Sequence, residues 1–236
     1  MKKKFFIPLF IILILFTSCT KTNTTKIAER PNFENEELQF SQIVSGSPIA
    51  IFNTNLGTIK AALFPEQAPL ATENFIYLAE NGYYNGLEFY RVVSDFVVQS
   101  GSPNNNGDDG DTKWNNPFPS EFSDLLHHYS GALSMSNRDN ENEKVTNTSI
   151  FYFTCTQADS VDKTLVEKMT EAGVRQEVID TYKEVGGIPY LDNTNTVFGQ
   201  IYEGMDILDT IAIQEVNEDN VPIIPIIIDS IVIGVY

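Results

Sequence analysis

Arg91 is the residue whose chemistry stands out, because it interrupts an apolar, strand-like stretch. That stretch reads L-E-F-Y-R-V-V-S-D-F-V-V-Q-S-G, and its β-branched and aromatic residues around a Ser-Asp pair predict a hairpin with strands 89–93 and 96–99. Alternation along a strand would place Arg91 on one face between Phe89 and Val93. A guanidinium over an apolar pocket could bind a carbonyl or an amide. The alternative is an arginine that rests its stem on the sheet and extends its charge to water.

The same stretch resembles the core motif of the cyclophilins, F-H-R-V-I-x-x-F-M-I-Q-G-G-D, a family of peptidyl-prolyl cis/trans isomerases. Further motifs follow in the family's order. Residues 68–84 read A-P-x-x-x-x-N-F-x-x-L-x-x-x-G-Y-Y, residues 131–137 read G-A-L-S-M-S-N, and Y-L-D at 190–192 precedes V-F-G-Q-I at 197–201. The resemblance covers the chain from about residue 47 onward, apart from one insertion.

This resemblance implies a mainly β fold, a closed eight-stranded antiparallel barrel capped by two helices, with a helical insertion. The local patterns agree, since 49–52 and 58–64 are strand-like and joined by a turn cluster. Thr72 is a good N-cap for a first helix at 73–80. The apolar run 221–235 is expected to form the closing strand.

The site residues are also carried over from the family. Arg91 would be the catalytic residue, while Phe96, Val97, Tyr152 and Leu191 would line a proline pocket. The full set expected to bind substrate is Phe96, Val97, Gln99, Ser136, Asn137, Tyr152, Tyr190, Leu191 and Asn195. The alternative for Gln99 is an exposed strand amide, and Phe96 and Tyr152 could equally be core aromatics.

The expected chemistry needs no covalent intermediate and no cofactor. An X–Pro bond has cis and trans forms separated by about 0.5–1 kcal/mol, and resonance sets a barrier of about 18–20 kcal/mol between them. A catalyst must stabilise the twisted amide more than either planar form. Arg91 could do so electrostatically, as a fixed cationic donor beside the twisting bond.

Several positions depart from the family pattern. Tyr90 replaces a histidine, Val97 a methionine, Ile150 a backbone-binding glutamine and Asn195 a histidine. Three hypotheses therefore stay open: an isomerase that assists folding, a proline-peptide binding module or holdase with little catalysis, and a barrel used as a scaffold. Loss of one substrate hydrogen bond costs about 0.5–1.5 kcal/mol, so a working isomerase is the leading hypothesis.

The N-terminus has the features of an export signal. Three lysines precede an apolar run, and L-F-T-S-C ends at Cys19 in the manner of a bacterial lipobox. We therefore expect residues 1–19 to be a lipoprotein signal peptide with Cys19 lipidated, residues 20–45 to be a flexible linker, and 46–236 to be the domain. The alternatives are an ordinary cleaved signal or an uncleaved anchor. The lipid would hold the domain at the cell envelope, outside the cytoplasm.

The composition limits the classes of molecule that this protein could bind. The 236 residues carry a net charge of −17, which argues against nucleic acid, because phosphate binding needs clustered Lys and Arg. No metal-ligand spacing is present: the Asn- and Asp-rich loop 102–111 lacks a calcium-loop pattern. His127 and His128 are adjacent and should point to opposite faces of a strand. We expect proline-containing polypeptides as partners and a monomer.

Residues 157–187 form the least expected part of the chain. Helix formers with an apolar pattern predict helical structure over 162–184, and Gly173 could divide it into two helices. Typical cyclophilins connect this point to the next strand with only a few residues. The insertion could be a lid, a partner surface or a decoration, and its residues alone do not decide among these.

Overall fold

The computed structural model describes residues 37–140 and 143–236, and for 138–140 and 143–145 it describes the backbone alone. Eleven strands lie in these ranges: β1 (Pro48–Thr54), β2 (Gly57–Leu63), β3 (Arg91–Val93), β4 (Val97–Ser100), β5 (Phe118–Pro119), β6 (Ala132–Met135), β7 (Arg138–Asn140), β8 (Glu143–Asn147), β9 (Phe151–Thr154), β10 (Val197–Glu203) and β11 (Ile228–Val235). The α-helices are α1 (Pro69–Glu80), α2 (Lys163–Glu171), α3 (Gln176–Val185) and α4 (Met205–Ala212). Short 3-10 turns are Leu38–Phe40, Ala158–Ser160 and Pro189–Leu191.

Eight of the strands form one curled antiparallel sheet in the order β11-β1-β2-β10-β6-β9-β4-β3. The remaining strands form a small sheet in the order β5-β8-β7. Strands β11 and β3 lie at the two edges of the large sheet. An isolated bridge pairs Glu88, just before β3, with Ile227, just before β11. The predicted mainly β fold of eight antiparallel strands is therefore confirmed.

The main core lies inside the curl of this sheet, and α1 packs into it. Phe75 on α1 lies 5.8 Å from Phe52, 5.7 Å from Phe151 and 5.2 Å from Phe198, measured between ring centroids. All four rings are fully buried. Clustered aromatic rings contribute large buried areas, so this group ties the helix to strands from both halves of the sheet.

The start of α1 differs from the prediction. The helix begins at Pro69 instead of after Thr72, and Thr72 is buried inside it. Glu121 provides the cap: its carboxylate accepts the backbone N–H groups of Leu70 at 3.0 Å and Ala71 at 2.9 Å. A carboxylate at a helix N-terminus satisfies free amides and interacts favourably with the helix dipole.

The central hairpin forms, but with shorter strands than predicted. β3 begins at Arg91, and Phe89 lies fully buried in the main core beside Val92. The prediction that Phe89 shares a face with Arg91 was therefore wrong, because strand alternation does not extend back beyond Arg91. The turn is at the predicted place, where Asp95 adopts a left-handed backbone with φ 56°.

The insertion folds into two helices, as predicted. Asp162 caps α2 by accepting the N–H of Leu165 at 2.8 Å, and Gly173 with φ +75° stands between α2 and α3. The helices share a second apolar cluster whose fully or nearly fully buried members are Tyr129, Val161, Met169, Val178, Ile179 and Tyr182. Tyr129 precedes β6, so the insertion packs against the body of the domain.

The predicted signal peptide, including Cys19, and most of the predicted linker lie outside the described residues. Ordered contacts begin earlier than position 46, since Gln39 is buried and its Nε2 donates to Gln200 Oε1 at 2.9 Å. Across the described part of the chain, every helix is too short or too polar to cross a lipid bilayer.

Candidate functional site

A row of directly opposed residues crosses four neighbouring strands. Arg91 on β3 pairs with Gln99 on β4, Gln99 pairs with Tyr152 on β9, and Tyr152 pairs with Ser134 on β6. Residues directly opposite each other on paired strands project on the same side of a sheet. Long-range pairing thus brings Arg91, Gln99 and Tyr152 onto one face.

Strand alternation places this row away from the main core. The neighbouring residues Val92, Val98 and Phe153 are 0–1% exposed and belong to the main core cluster. Arg91 and Gln99 are partly exposed, as expected for side chains on the opposite face. The prediction that Val97 and Gln99 share a face agrees with this register.

A chain of hydrogen bonds orients the arginine. Arg91 Nη1 donates to Gln99 Oε1 at 3.4 Å, and Gln99 Nε2 donates to Ser136 Oγ at 2.9 Å. Ser136 lies just beyond β6, and its backbone N–H donates to the carbonyl of Ile150 at 2.9 Å. Gln99 therefore connects the guanidinium to the far strand of the row.

Beside the arginine lies a small apolar cluster of its own. Val97, Tyr152 and Ile188 are buried, and Phe96 and Leu191 are partly exposed around them. The four predicted pocket residues are thus neighbours in space. Ile188 was not predicted; its position two residues before Tyr190, directly after the insertion, was the available signal.

The rim of this cluster is the segment 188–195. Tyr190 is 64% exposed at its edge. Asn137 donates its side-chain amide to the carbonyl of Thr194, and Asn195 Nδ2 donates to the carbonyl of Met135 at 3.2 Å. These two amides join the rim to the end of β6. Both side chains were predicted to bind substrate, and in the structure each donates a hydrogen bond to the backbone of the protein itself.

The positions that depart from the family pattern are mostly enclosed. Ile150 is 1% exposed and Tyr90 is 5% exposed, so neither presents a polar group on the open face. Burial raises the pKa of the Tyr152 phenol. Tyr152 therefore stays neutral and contributes an apolar ring with a buried hydroxyl.

Both histidines contact a single carboxylate, contrary to the prediction that they point to opposite faces. His127 Nδ1 lies 2.9 Å from Asp192 Oδ2, and His128 Nδ1 lies 2.9 Å from Asp192 Oδ1. The alternation argument fails because His127 and His128 precede β6 and are not in a strand. Burial raises the pKa of Asp192, but the hydrogen bonds from His127 and His128 outweigh it and lower the pKa to about 2.

Other features of the described residues do not add to this site. No group of His, Cys, Asp and Glu within 37–140 and 143–236 is arranged to hold a metal ion. A surface cleft of about 320 Å³ lies against α1 and is lined by Pro65, Pro69, Thr72, Glu73, Ile76, Tyr77, Glu80 and Lys113. None of these residues belongs to the Arg91 row or to the apolar cluster beside it.

Comparison with known proteins agrees with the fold and the motif. Residues 49–233 match the family model described as cyclophilin type peptidyl-prolyl cis-trans isomerase/CLD. A Staphylococcus saprophyticus protein, named among the peptidyl-prolyl cis-trans isomerases, is 39% identical over 194 residues, which are 82% of this chain and 95% of the relative. A Staphylococcus aureus relative with the same kind of name is 36% identical over 190 residues, 80% of this chain and 93% of its own.

Solved structures give the same result. A crystal structure of a cyclophilin type peptidyl-prolyl cis-trans isomerase from Cryptosporidium parvum has a TM-score of 0.63 at 26% identity and covers 80% of this chain and 98% of its own. The same protein in the presence of the dipeptide Ala-Pro has a TM-score of 0.62 at 26% identity, covering 79% and 98%. The family match spans well over half of the chain, and this chain belongs to the cyclophilin-type peptidyl-prolyl cis-trans isomerases.

Proposed function

We propose that this isomerase accelerates X–Pro isomerisation without covalent chemistry, with Arg91 as the catalytic residue. The observation that carries the proposal is the placement of Arg91 on the same sheet face as Gln99 and Tyr152, next to the apolar cluster of Val97, Tyr152 and Ile188. A pyrrolidine ring is apolar, whereas its amide is polar. The site combines the two surfaces that such a substrate presents.

The reaction would proceed by rotation about one bond. The apolar cluster holds the proline ring while the preceding carbonyl turns out of the amide plane. Twisting removes resonance and localises a lone pair on the proline nitrogen. The charged guanidinium of Arg91 then donates toward the twisted amide, and the hydrogen bond to Gln99 keeps it in place before substrate arrives. A donor fixed in advance costs no reorganisation during the reaction.

The proposed substrates are proline-containing segments of exported polypeptides. The Cryptosporidium structure solved with Ala-Pro supports a proline-containing ligand for this fold. The lipobox-like end of the N-terminal run at Cys19 supports lipid anchoring at the bacterial cell envelope. The net charge of −17 supports partners other than nucleic acid and mutual repulsion between copies, in line with a monomer.

The proposal includes a closed barrel. Backbone bonds support closure, because Phe89 N–H donates to the carbonyl of Ile226 at 2.9 Å and Ile228 N–H donates to the carbonyl of Leu87 at 2.8 Å. These bonds join the segment before β3 to the start of β11 and the residues just before it. Closure would remove the sheet's free edges and make the face that carries Arg91 more rigid.

Exchange spectroscopy on a tetrapeptide with an Ala-Pro bond tests the catalytic role. We expect wild-type protein to accelerate cis/trans exchange and Arg91→Ala to lose about 100-fold in kcat/KM, because removing one preorganised donor typically costs about 10²–10³. Lys183→Ala is the matched control, since Lys183 pairs with Asp180 on the exposed side of α3. Wild-type protein that leaves exchange unchanged, or Arg91→Ala that equals it, contradicts the proposal.

A second candidate is a proline-peptide binding module or holdase with little catalysis. The observation that favours it is the burial of Ile150 at a position where the family has a substrate-binding glutamine. In a titration with the tetrapeptide, binding without catalysis would shift protein resonances near Phe96 while leaving the cis/trans exchange rate of the peptide at its uncatalysed value. Measuring both the shifts and the exchange rate therefore separates the two candidates.

A further inference from the structure

The carboxylate of Asp192 lies next to the peptide site and is mostly enclosed, with 16% of the side chain exposed. It accepts hydrogen bonds from His127 Nδ1 at 2.9 Å, His128 Nδ1 at 2.9 Å, the His128 backbone N–H at 2.8 Å and the Tyr182 hydroxyl at 2.8 Å. An ionised carboxylate only accepts, so both imidazoles carry their hydrogen on Nδ1. Four donors on one carboxylate offset much of the free energy that its burial costs.

This cluster joins three separate parts of the chain. His127 and His128 come just before β6, Tyr182 comes from α3 of the insertion, and Asp192 directly follows the pocket residue Leu191. His128 also reaches the pocket by another route. Its ring stacks on that of Tyr152, with centroids 6.1 Å apart and planes inclined by 18°.

The rim where Asp192 lies is held by scattered hydrogen bonds and not by strand pairing. The segment 188–195 contains one 3-10 turn and no strand. Its tertiary bonds besides those of Asp192 include the Ile188 N–H on the carbonyl of His128 at 2.8 Å and the amides of Asn137 and Asn195. Asn193 has a left-handed backbone with φ 60°, so the chain turns sharply just after Asp192.

We propose that Asp192 is a positioning residue of the peptide site, and that Tyr182 makes the insertion a brace for the pocket rim. The inference rests on the proposed function of the Arg91 face. Asp192 fixes Leu191 against Val97 and Tyr152, and Tyr182 fixes Asp192 from the far side. The insertion then acts on substrate affinity through the rim, while Arg91 and Gln99 stand on β3 and β4.

The two histidine rings support a dedicated role for the carboxylate. His128 is fully buried, and the Nε2 atoms of both His127 and His128 are buried with no hydrogen-bond partner in the described part of the chain. The Nδ1 bond to Asp192 is therefore the polar contact that orients each ring. Removal of the negative charge would release both rings and, through His128, the contact with Tyr152.

The test compares Asp192→Asn and Tyr182→Phe with wild type. Tyr182→Phe deletes one hydrogen bond and keeps the ring that packs 4.6 Å from Tyr129. We expect both variants to weaken affinity for the Ala-Pro tetrapeptide, about threefold for Tyr182→Phe and about tenfold for Asp192→Asn. Turnover of bound peptide should change by less than twofold, and the Leu191 methyl resonances should move.

Asp180→Asn is the matched control, since it makes the same substitution at an exposed position of α3. The Asp180 carboxylate there pairs with a surface lysine, Lys183, at 3.0 Å. The peptide affinity and Leu191 resonances of this variant should equal those of wild type. Unchanged affinity in Tyr182→Phe and Asp192→Asn overturns the inference, as does a loss of kcat equal to the loss of affinity. If Asp192→Asn does not fold, Tyr182→Phe alone decides.

The outcome stays separate from that of the catalytic proposal. Peptide affinity is measured by titration and does not depend on acceleration of exchange. A wild-type protein without catalysis would sink the isomerase proposal, while a loss of affinity in the two variants would still support the brace. Catalysis by the wild-type protein together with unchanged affinity in both variants would support the isomerase proposal and overturn the brace.

Discussion

Gln99 is the side chain that most directly determines where the charge of Arg91 lies. Its Oε1 accepts from Arg91 Nη1 at 3.4 Å, and its Nε2 is itself held by Ser136 at 2.9 Å. The amide was predicted to bond substrate backbone. The structure gives it a second task, because a flexible arginine positions charge poorly unless another group restrains it.

Replacement of Gln99 by leucine should therefore slow catalysis without unfolding the protein. A hydrogen bond to a charged group contributes about 1.5–3 kcal/mol. This bond is long, so we expect the lower value and a roughly tenfold fall in kcat/KM. Exchange spectroscopy measures the fall in rate, with Gln214→Leu as the control for a lost amide, since Gln214 follows α4 and bonds the carbonyl of Thr210 at 2.9 Å. A rate equal to wild type would show that Gln99 does not orient Arg91.

The lowered pKa of Asp192 predicts that the free energy of unfolding decreases in acid. The pKa of this carboxylate lies at about 2, below the ordinary 3.8, so the ionised form favours the folded state. The stabilisation is complete above about pH 4 and is lost as the pH falls through about 2. The difference of nearly two pKa units corresponds to about 2 kcal/mol.

Urea unfolding of wild type and Asp192→Asn between pH 6 and pH 2 measures this contribution. We expect the wild-type free energy of unfolding to fall toward the value of the variant by about 2 kcal/mol over that range, since asparagine does not titrate. A gap that stays constant with pH would contradict a carboxylate stabilised by His127 and His128.

At the scale of elements, the insertion depends on two glycines that end its helices. Gly173 follows α2 with φ +75°, and Gly186 follows α3 with φ +83°. Their surroundings differ. A Cβ on Gly186 would lie 2.3 Å from the carbonyl oxygen of Thr156, whereas a Cβ on Gly173 would have nothing within 4 Å.

The two alanine variants should therefore differ in stability. Gly173→Ala should cost about 1–2 kcal/mol, the penalty of a left-handed backbone with a side chain. Gly186→Ala should cost clearly more, because backbone must also move at the junction that leads to Ile188. Chemical denaturation checks both values. Equal losses would mean that the insertion adjusts freely where it rejoins the domain.

The elements also explain which face of the sheet carries the chemistry. Val92, Val98 and Phe153 point into the core, so strand alternation places Arg91, Gln99 and Tyr152 on the opposite face of the sheet. The short strands β3 and β4 have three and four residues. The insertion contacts the rim through Tyr182, whose hydroxyl donates to Asp192 at 2.8 Å.

At the scale of the whole molecule, the acidic composition bears on the proposed N-terminal signal. A protein with a net charge of −17 is repelled by anionic membrane surfaces. Stable membrane attachment then has to come from a lipid or an anchor. Cys19 is the proposed attachment point, and a segment rich in polar residues separates it in sequence from Gln39, which bonds Gln200 in the domain.

Substitution of Cys19 tests this proposal. We expect Cys19→Ala to abolish incorporation of a labelled fatty acid in bacterial cells and to move the protein from the membrane to the soluble fraction. Cys155→Ala is the control, because the chain has only these two cysteines and Cys155 is buried in the domain. Labelling that persists in Cys19→Ala would exclude lipidation at this position.

The sequence by itself determined the family, the mainly β class and the face shared by Val97 and Gln99. These follow from ordered motifs and from the alternation of side chains along a strand, both of which are local. The division of the insertion at Gly173 was also readable, because a glycine between two helical patterns is a local signal.

Only the tertiary structure decided which distant residues complete the site. Glu121 caps a helix 51 residues away, Asp192 meets His128 64 residues away, and Ile188 enters the pocket cluster after the insertion. The start of β3 at Arg91, which moved Phe89 into the core, was decided in the same way. Such contacts depend on how packed elements bring separate segments together, and no local pattern of residues encodes that distance.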